Sequence, residues 1–139
     1  MSIKITGIDK DQKQLEAAAV PGAALRAVGE EALRIIHDRT LKGQDVDGRR
    51  FKPYSPGYKT KRAETHRSLK PDLTWTGRML NSMRIIAESI KGKYIVLGWQ
   101  IRDEAEKADS NQRMGREFFD IRQRSEIARL ERVYQVYLK

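Results

Sequence analysis

Cysteine is absent from this chain. That excludes a disulfide framework and any thiolate metal site. Histidine is nearly absent too: His37 and His66 are the only two, one on a predicted helix and one in a predicted loop. A zinc site without cysteine needs more histidines, and so does a nuclease centre that combines several histidines with Asn or Asp. The carboxylates form no compact pair, no glycine-rich phosphate loop follows a strand, and Ser55 and Ser82 have no nearby base. No catalytic, cofactor-binding or metal-binding residues are therefore expected, and no enzymatic activity. Long apolar runs are missing as well. Nothing approaches the roughly 18 consecutive apolar residues of a membrane span. Met1-Ser2-Ile3-Lys4-Ile5 lacks the apolar segment of a secretion signal. The expectation is a soluble protein without membrane contact, cytoplasmic when made.

What the chain does have is charge. Of 139 residues 34% are charged and 39% apolar, and 28 Lys and Arg stand against 19 Asp and Glu, leaving +9. That length suits one domain, residues 1–139, with a single modest core. The basic excess suits contact with nucleic acid or with acidic protein surfaces, and bears on association rather than on fold.

Ile3 and Ile5 alternate with polar residues and predict a short strand. Asp9 can cap a weak helix over Lys10 to Ala19, and Pro21 suits the first turn of the next. That helix, Gly22 to Thr40, carries the strongest periodicity. Leu25, Val28, Ala32, Ile35 and Ile36 fall on one stripe, with Arg26, Glu30, Glu31, Arg34 and Asp38 off it. His37 rides beside the stripe as a packing residue. Further on, Arg84 to Ile90 and Tyr94 to Trp99 read as two strands joined through Lys91-Gly92-Lys93. A hairpin alone is marginal in water, so a third strand or the long helix must cover it, and Ile3–Ile5 is the natural third strand. Ile101 to Ala108 predicts a short exposed helix and Asp109 to Gly115 a loop. If Arg116 to Ile121 is a strand, one of Phe118 and Phe119 must face outward. Ser125 can cap a final helix in which Ile127, Leu130, Tyr134 and Tyr137 share a stripe. The fold class is α+β: an antiparallel sheet of three to four strands packed on one long helix, with a long inserted basic loop and a C-terminal helix.

The inserted loop spans residues 42–72. Gly43, Gly48, Pro53, Pro56, Gly57 and Pro71 punctuate it and no apolar face persists. Nine Lys and Arg stand against Asp45, Asp47 and Glu64, an excess of six before Asp72 closes the segment. Asp47-Gly48 predicts a tight turn at the tip of a small hairpin. Three readings of the loop stay open: a nucleic-acid contact, a solvated mobile segment, or a segment ordered only on assembly. Lys59, Lys61, Arg62, Arg67 and Lys70 are the candidates for contact with DNA or an acidic partner.

Between the loop and the hairpin lies Thr74-Trp75-Thr76-Gly77-Arg78-Met79-Leu80-Asn81-Ser82-Met83. Thr76 can cap a short helix, Gly77 permits an unusual turn or a close approach, and Met79, Leu80 and Met83 supply apolar contacts on one side. Thr76, Gly77 and Leu80 are the candidate structural junction.

In order, the helix ending Ile36-His37-Asp38-Arg39-Thr40, the segment Asp45 to Ser55 with Asp47-Gly48-Arg49-Arg50-Phe51-Lys52-Pro53-Tyr54-Ser55, the stretch Leu73 to Met83 with Met79 one place before the leucine of a Thr-Gly-x-Leu-x-x-Ser signature, and Arg116-Glu117-Phe118-Phe119 resemble the tail-completion proteins of tailed bacteriophages and prophages, the virion morphogenesis family. The last motif departs from the family pattern. Here Gln112-Arg113-Met114-Gly115 precedes it, where the family has flanking prolines and a glycine-rich turn. The resemblance implies a structural virion protein at the head–tail junction or tail end, made in the host cytoplasm. Its partners would be copies of itself in a ring, expected to be a hexamer, together with tail-tube and neck or connector proteins and the passing DNA. A minor neck protein of the same fold, from another phage branch, fits nearly as well. Arg49, Arg50, Phe51, Tyr54, Tyr58, Arg116, Phe118 and Phe119 are then the candidate subunit-interface residues, since aromatics and Arg dominate interface energetics. The alternative is a phage- or plasmid-encoded DNA-binding accessory protein that acts through the basic loop.

Overall fold

The computed structural model describes residues 2–6, 21–73, 77–89 and 94–138. The predicted weak helix over 10–19, the cap at Thr76 and the Lys91-Gly92-Lys93 connection lie outside these residues. The fold is α+β. Strand β1 (Ile3–Thr6) leads to helix α1 (Pro21–Leu41), then α2 (Pro56–Glu64), the single turn α3 (Arg78–Asn81), strands β2 (Met83–Glu88) and β3 (Tyr94–Trp99), and helices α4 (Arg102–Arg113) and α5 (Arg124–Leu138).

The sheet has three strands in the order β1-β3-β2, all antiparallel. Ile3 opposes Leu97 and Thr6 opposes Tyr94 on one side of β3, and Met83 opposes Trp99 on the other. A register shift between Ile85 and Ala87 breaks the second ladder. β3 takes the centre because its sequence alternates in the right phase. Ile95, Leu97 and Trp99 fall on one face and all three are buried.

Helix α1 covers that face. The residues of its predicted stripe, Leu25, Val28, Ala32, Ile35 and Ile36, are all buried. Gly29 lets the helix come close: a methyl there would run into Ile95 and lie 3.2 Å from Ile85 Cδ1 and 3.3 Å from Leu97 Cδ2. Helix α1 also packs on α5. Glu31, expected off the stripe, is buried in consequence, and it pairs with Arg34 and with Arg129 of α5.

Four expectations are corrected. The predicted loop 109–115 is helical as far as Arg113, because Ala108 continues the buried side of α4. Arg116 to Ile121 is not a strand, so neither aromatic is forced outward, and Phe118 and Phe119 are both buried. Helix α5 begins at Arg124, which leaves Ser125 inside its first turn rather than capping it. On α5, Leu130 and Tyr134 face the core as predicted, whereas Ile127 is 41% exposed. No described helix is long and apolar enough to cross a membrane.

Residues 42–73 are anchored as well. Gly48, at φ +80°, turns a short hairpin closed by Gly48 N to Asp45 O at 3.0 Å, and the Asp45 carboxylate accepts from Asp47 N and Arg49 N, each at 2.9 Å. Ser55 caps α2 by accepting from Tyr58 N at 3.3 Å, and Pro56 takes the first helical position. Val46, Phe51, Tyr54, Arg62 and Leu73 are all buried. These side chains are too irregularly spaced in sequence to make a periodic face, yet Tyr54, Arg62 and Leu73 come together.

Candidate functional site

The segments singled out in the sequence meet at one joint. Arg116 donates through Nε to Lys52 O and through Nη2 to Pro53 O, each at 3.2 Å, and its guanidinium lies 5.2 Å from the centre of the Tyr54 ring. Arg62 lies over the same ring at 4.9 Å and over Tyr58 at 5.7 Å, and Tyr54 and Tyr58 meet edge to face at 4.8 Å. Arg62 is 1% exposed, donates from Nε to Ser68 O and faces Asp72 at 3.6 Å. The Tyr54 hydroxyl accepts from Leu73 N at 3.2 Å. Burial raises the Tyr54 pKa above its ordinary value, with the positive charge of Arg62 opposing the rise.

On the other side of the joint, Phe118 and Phe119 pack on Trp99 with ring centres 6.1 and 4.5 Å away. Gln112 Oε1 accepts from Phe118 N at 2.8 Å and so ties this segment to α4. Trp99 donates from Nε1 to Met79 O at 2.7 Å and locks α3 onto β3. Gly77 sits at φ +82° at the start of α3, where a side chain would be strained, and Leu80 is 2% exposed. The junction read at Gly77 and Leu80 is structural.

This geometry changes the expected interface. Phe51, Tyr54, Arg116, Phe118 and Phe119 are each at most 8% exposed within the single chain. They cannot anchor a neighbour without unfolding the joint, because their contacts are already made internally. Arg49 and Arg50 remain exposed and Tyr58 half-buried. Among the candidate charges, Lys59, Lys61 and Lys70 are exposed and Arg67 is half-buried, whereas Arg62 is withdrawn into the joint.

A cleft of about 610 Å³ opens beside the joint, lined among others by Tyr58, Leu73, Met79, Glu104, Asn111 and Met114. Glu104 was not singled out in the sequence. Its signal is position: with Ala108 it lies on the one buried side of an otherwise polar helix. Arg39 and Gly29 also escaped notice, one as an end-of-helix cation and the other as a helical glycine.

Among the described residues no group of three or more His, Asp or Glu could hold a metal ion. His37 contacts Asn81 Oδ1 at 3.0 Å and Asp38 Oδ1 at 3.4 Å, which fits a packing role, and His66 is exposed. No protein-family model, no curated protein and no solved structure matches the chain. The resemblance to the tail-completion proteins stands on its motifs alone.

Proposed function

We propose that this chain is a non-enzymatic structural component of a tailed-phage virion, at the head–tail junction or the end of the tail, and that it works as a homo-oligomeric ring in contact with tail-tube and neck proteins. The observation that carries this reading is where the motifs go. The Phe51-Lys52-Pro53-Tyr54 segment, the Gly77–Leu80 turn and the Arg116–Phe119 segment are tied to one another or to Trp99 by hydrogen bonds and ring contacts. Residues that carry the resemblance therefore hold a fold together. Subunit contacts then fall to the exposed surface, including Arg49, Arg50 and the half-buried Tyr58.

A second reading has one observation in its favour. Arg49, Arg50, Lys52, Lys59, Lys61 and Lys70 are exposed and all belong to residues 42–72. A DNA-binding accessory protein would use such a surface. Size-exclusion chromatography with light scattering, at low and high salt and with and without duplex DNA, separates the two. The ring reading expects a mass of about six chains that does not depend on DNA. A monomer that binds duplex DNA, and releases it steeply as salt rises, replaces it with the second reading.

A further inference from the structure

The short hairpin at residues 42–52 gathers cations that lie far apart in the sequence. Gln44 pairs with Arg50 across it and Phe51 N donates to Gly43 O at 3.0 Å, so Lys42 and Lys52 flank its base. Lys70 joins from outside: its side chain lies against Gly43, where a Cβ would be 2.6 Å from Lys70 Cε. At the other end the tip rests on the residues that lead into α5. Gln123 Nε2 donates to Val46 O at 3.3 Å, and a Cβ at Gly48 would lie 3.3 Å from the same nitrogen. Arg49 follows that glycine and Arg124 follows that glutamine. Lys42, Arg49, Arg50, Lys52, Lys70 and Arg124 are all exposed.

None of these six cations forms an ion pair with a described residue. Exposed arginines elsewhere do: Arg26, Arg102 and Arg129 are matched by Glu88, Glu106 and Glu31. The acids at the hairpin do not offset the excess. Asp45 spends its Oδ1 on Asp47 N and Arg49 N, and six cations against Asp45 and Asp47 leave +4. Glu117, whose carbonyl accepts from Val46 N, spends its carboxylate on Arg122. Like charges left uncompensated build a positive field outside the surface and draw polyanions to it.

The hairpin also exposes no aromatic, since Phe51 is buried. It offers neither a stacking platform for the bases of a single strand nor an aromatic anchor for a protein interface. Charges spread from Lys70 to Arg124 suit a ligand whose own charges repeat along its length, as duplex phosphates do at about one per 1.7 Å of axis. We propose that the 42–52 hairpin, with Lys70 and Arg124, is the surface that holds the phosphate backbone of double-stranded DNA, without base readout. The proposal rests on the DNA contact of the second reading above and gives it a place. It takes Arg49 and Arg50 for DNA rather than for a neighbouring subunit, and it leaves Lys59 and Lys61 of α2 outside the contact.

A fluorescently labelled duplex of arbitrary sequence, titrated with the full chain between roughly 50 and 200 mM salt and followed by anisotropy, tests this. With six phosphate contacts, log K should fall against log salt with a slope of about −5. Arg49→Gln with Arg124→Gln should weaken binding about tenfold or more at the lower salt and flatten the slope by about two. Lys59→Gln with Lys61→Gln removes as much charge and should change affinity by less than about threefold. Arg49→Lys with Arg124→Lys keeps the charge and should bind close to wild type, and unchanged melting shows that each pair is folded. Equal losses from the hairpin and α2 pairs, a lysine pair as defective as the glutamine pair, or a single strand of equal length bound as tightly as duplex overturns the proposal. So does polyglutamate that competes as well as duplex DNA per unit charge, which makes the partner an acidic protein. Wild type that binds no duplex at the lower salt removes the second reading and this proposal together. Duplex binding that ignores the hairpin pair removes this proposal alone.

Discussion

Arg39 and Glu126 stand 87 positions apart in the chain and meet at 2.7 Å, with side chains only 4% and 13% exposed. The same guanidinium donates to Phe118 O at 2.6 Å and Asp120 O at 2.8 Å. One side chain at the end of α1 thus binds α5 and the segment that carries both core phenylalanines. Arg39→Ala would leave a buried carboxylate and two carbonyls without their donor. A loss of about 3–5 kcal/mol is expected. In thermal denaturation that is a fall of roughly 10 °C or more for a domain of this size. Glu126→Gln, which keeps an acceptor, should cost clearly less, and equal losses would show that the carbonyl contacts are the minor part.

Gly29 tests the close approach of α1 to the sheet. Gly29→Ala adds a methyl that Ile95 cannot avoid without moving. Overpacking of this kind costs about 1–3 kcal/mol, more than any gain in helix propensity. Ile95→Val in the same chain should recover part of the loss, since it trims the side chain in the way. Urea melts of the two single variants and the double variant give the coupling directly, and strict additivity would refute the contact.

Much of the fold is legible in the sequence because periodicity survives wherever one face is buried. Leu25 to Ile36 announces α1, and the alternation of Ile95, Leu97 and Trp99 announces the central strand. The site is less legible. Residues 42–72 show no periodic face because Val46, Phe51, Tyr54 and Arg62 are buried at irregular spacing, Tyr54 and Arg62 against each other. A buried Arg62 is invisible to any pattern that counts it as a surface charge. Glu104 is hidden in the same way, since nothing in a polar helix distinguishes the carboxylate that turns inward. Phe118 and Phe119 mislead for the opposite reason: side by side, they suggest an exposed anchor, whereas irregular backbone lets both turn toward Trp99.

Gly77 gives a backbone test. At φ +82° a β-branched residue is strained, and a Cβ would lie 3.2 Å from Asn81 Nδ2. Gly77→Val should cost at least about 1–2 kcal/mol. Gly77→Asn should cost less, because asparagine tolerates the left-handed region better than other side chains. Melting temperatures in the order wild type, Asn, Val are expected, and a Val variant as stable as wild type would leave the conformation without consequence.

Tyr54 makes stability depend on pH at the alkaline end. Its folded pKa lies above that of the unfolded chain, so the neutral phenol is the form the fold prefers. The contribution is complete below the unfolded value near 10 and is lost as pH rises from there through the raised folded value. Tyr54→Phe removes this titration along with the acceptor for Leu73 N. Wild type should therefore lose more stability than Tyr54→Phe between about pH 9.5 and 11. Parallel melting curves across that window would exclude Tyr54 as the source.

The remaining prediction separates packing from surface within residues 42–72. Phe51 is 5% exposed in the core and Tyr54 7% in the joint. Phe51→Ala should therefore destabilise the isolated chain by about 3–5 kcal/mol, through lost burial and the cavity left behind. Any failure of Phe51→Ala to assemble would then reflect folding, not a missing subunit contact. Lys59, Lys61 and Lys70 point the other way. Replacing all three by Gln should leave melting within about 0.5 kcal/mol per site, as exposed substitutions usually do. Their effect on function is what discriminates. If the surface meets DNA, the triple variant loses affinity and shows a shallower salt dependence, because fewer counterions are released. If the chain works as a ring held by other surfaces, the triple variant assembles like wild type. A triple variant that unfolds would mean that contacts these lysines make within the chain, such as Lys70 lying against Gly43, outweigh their exposure.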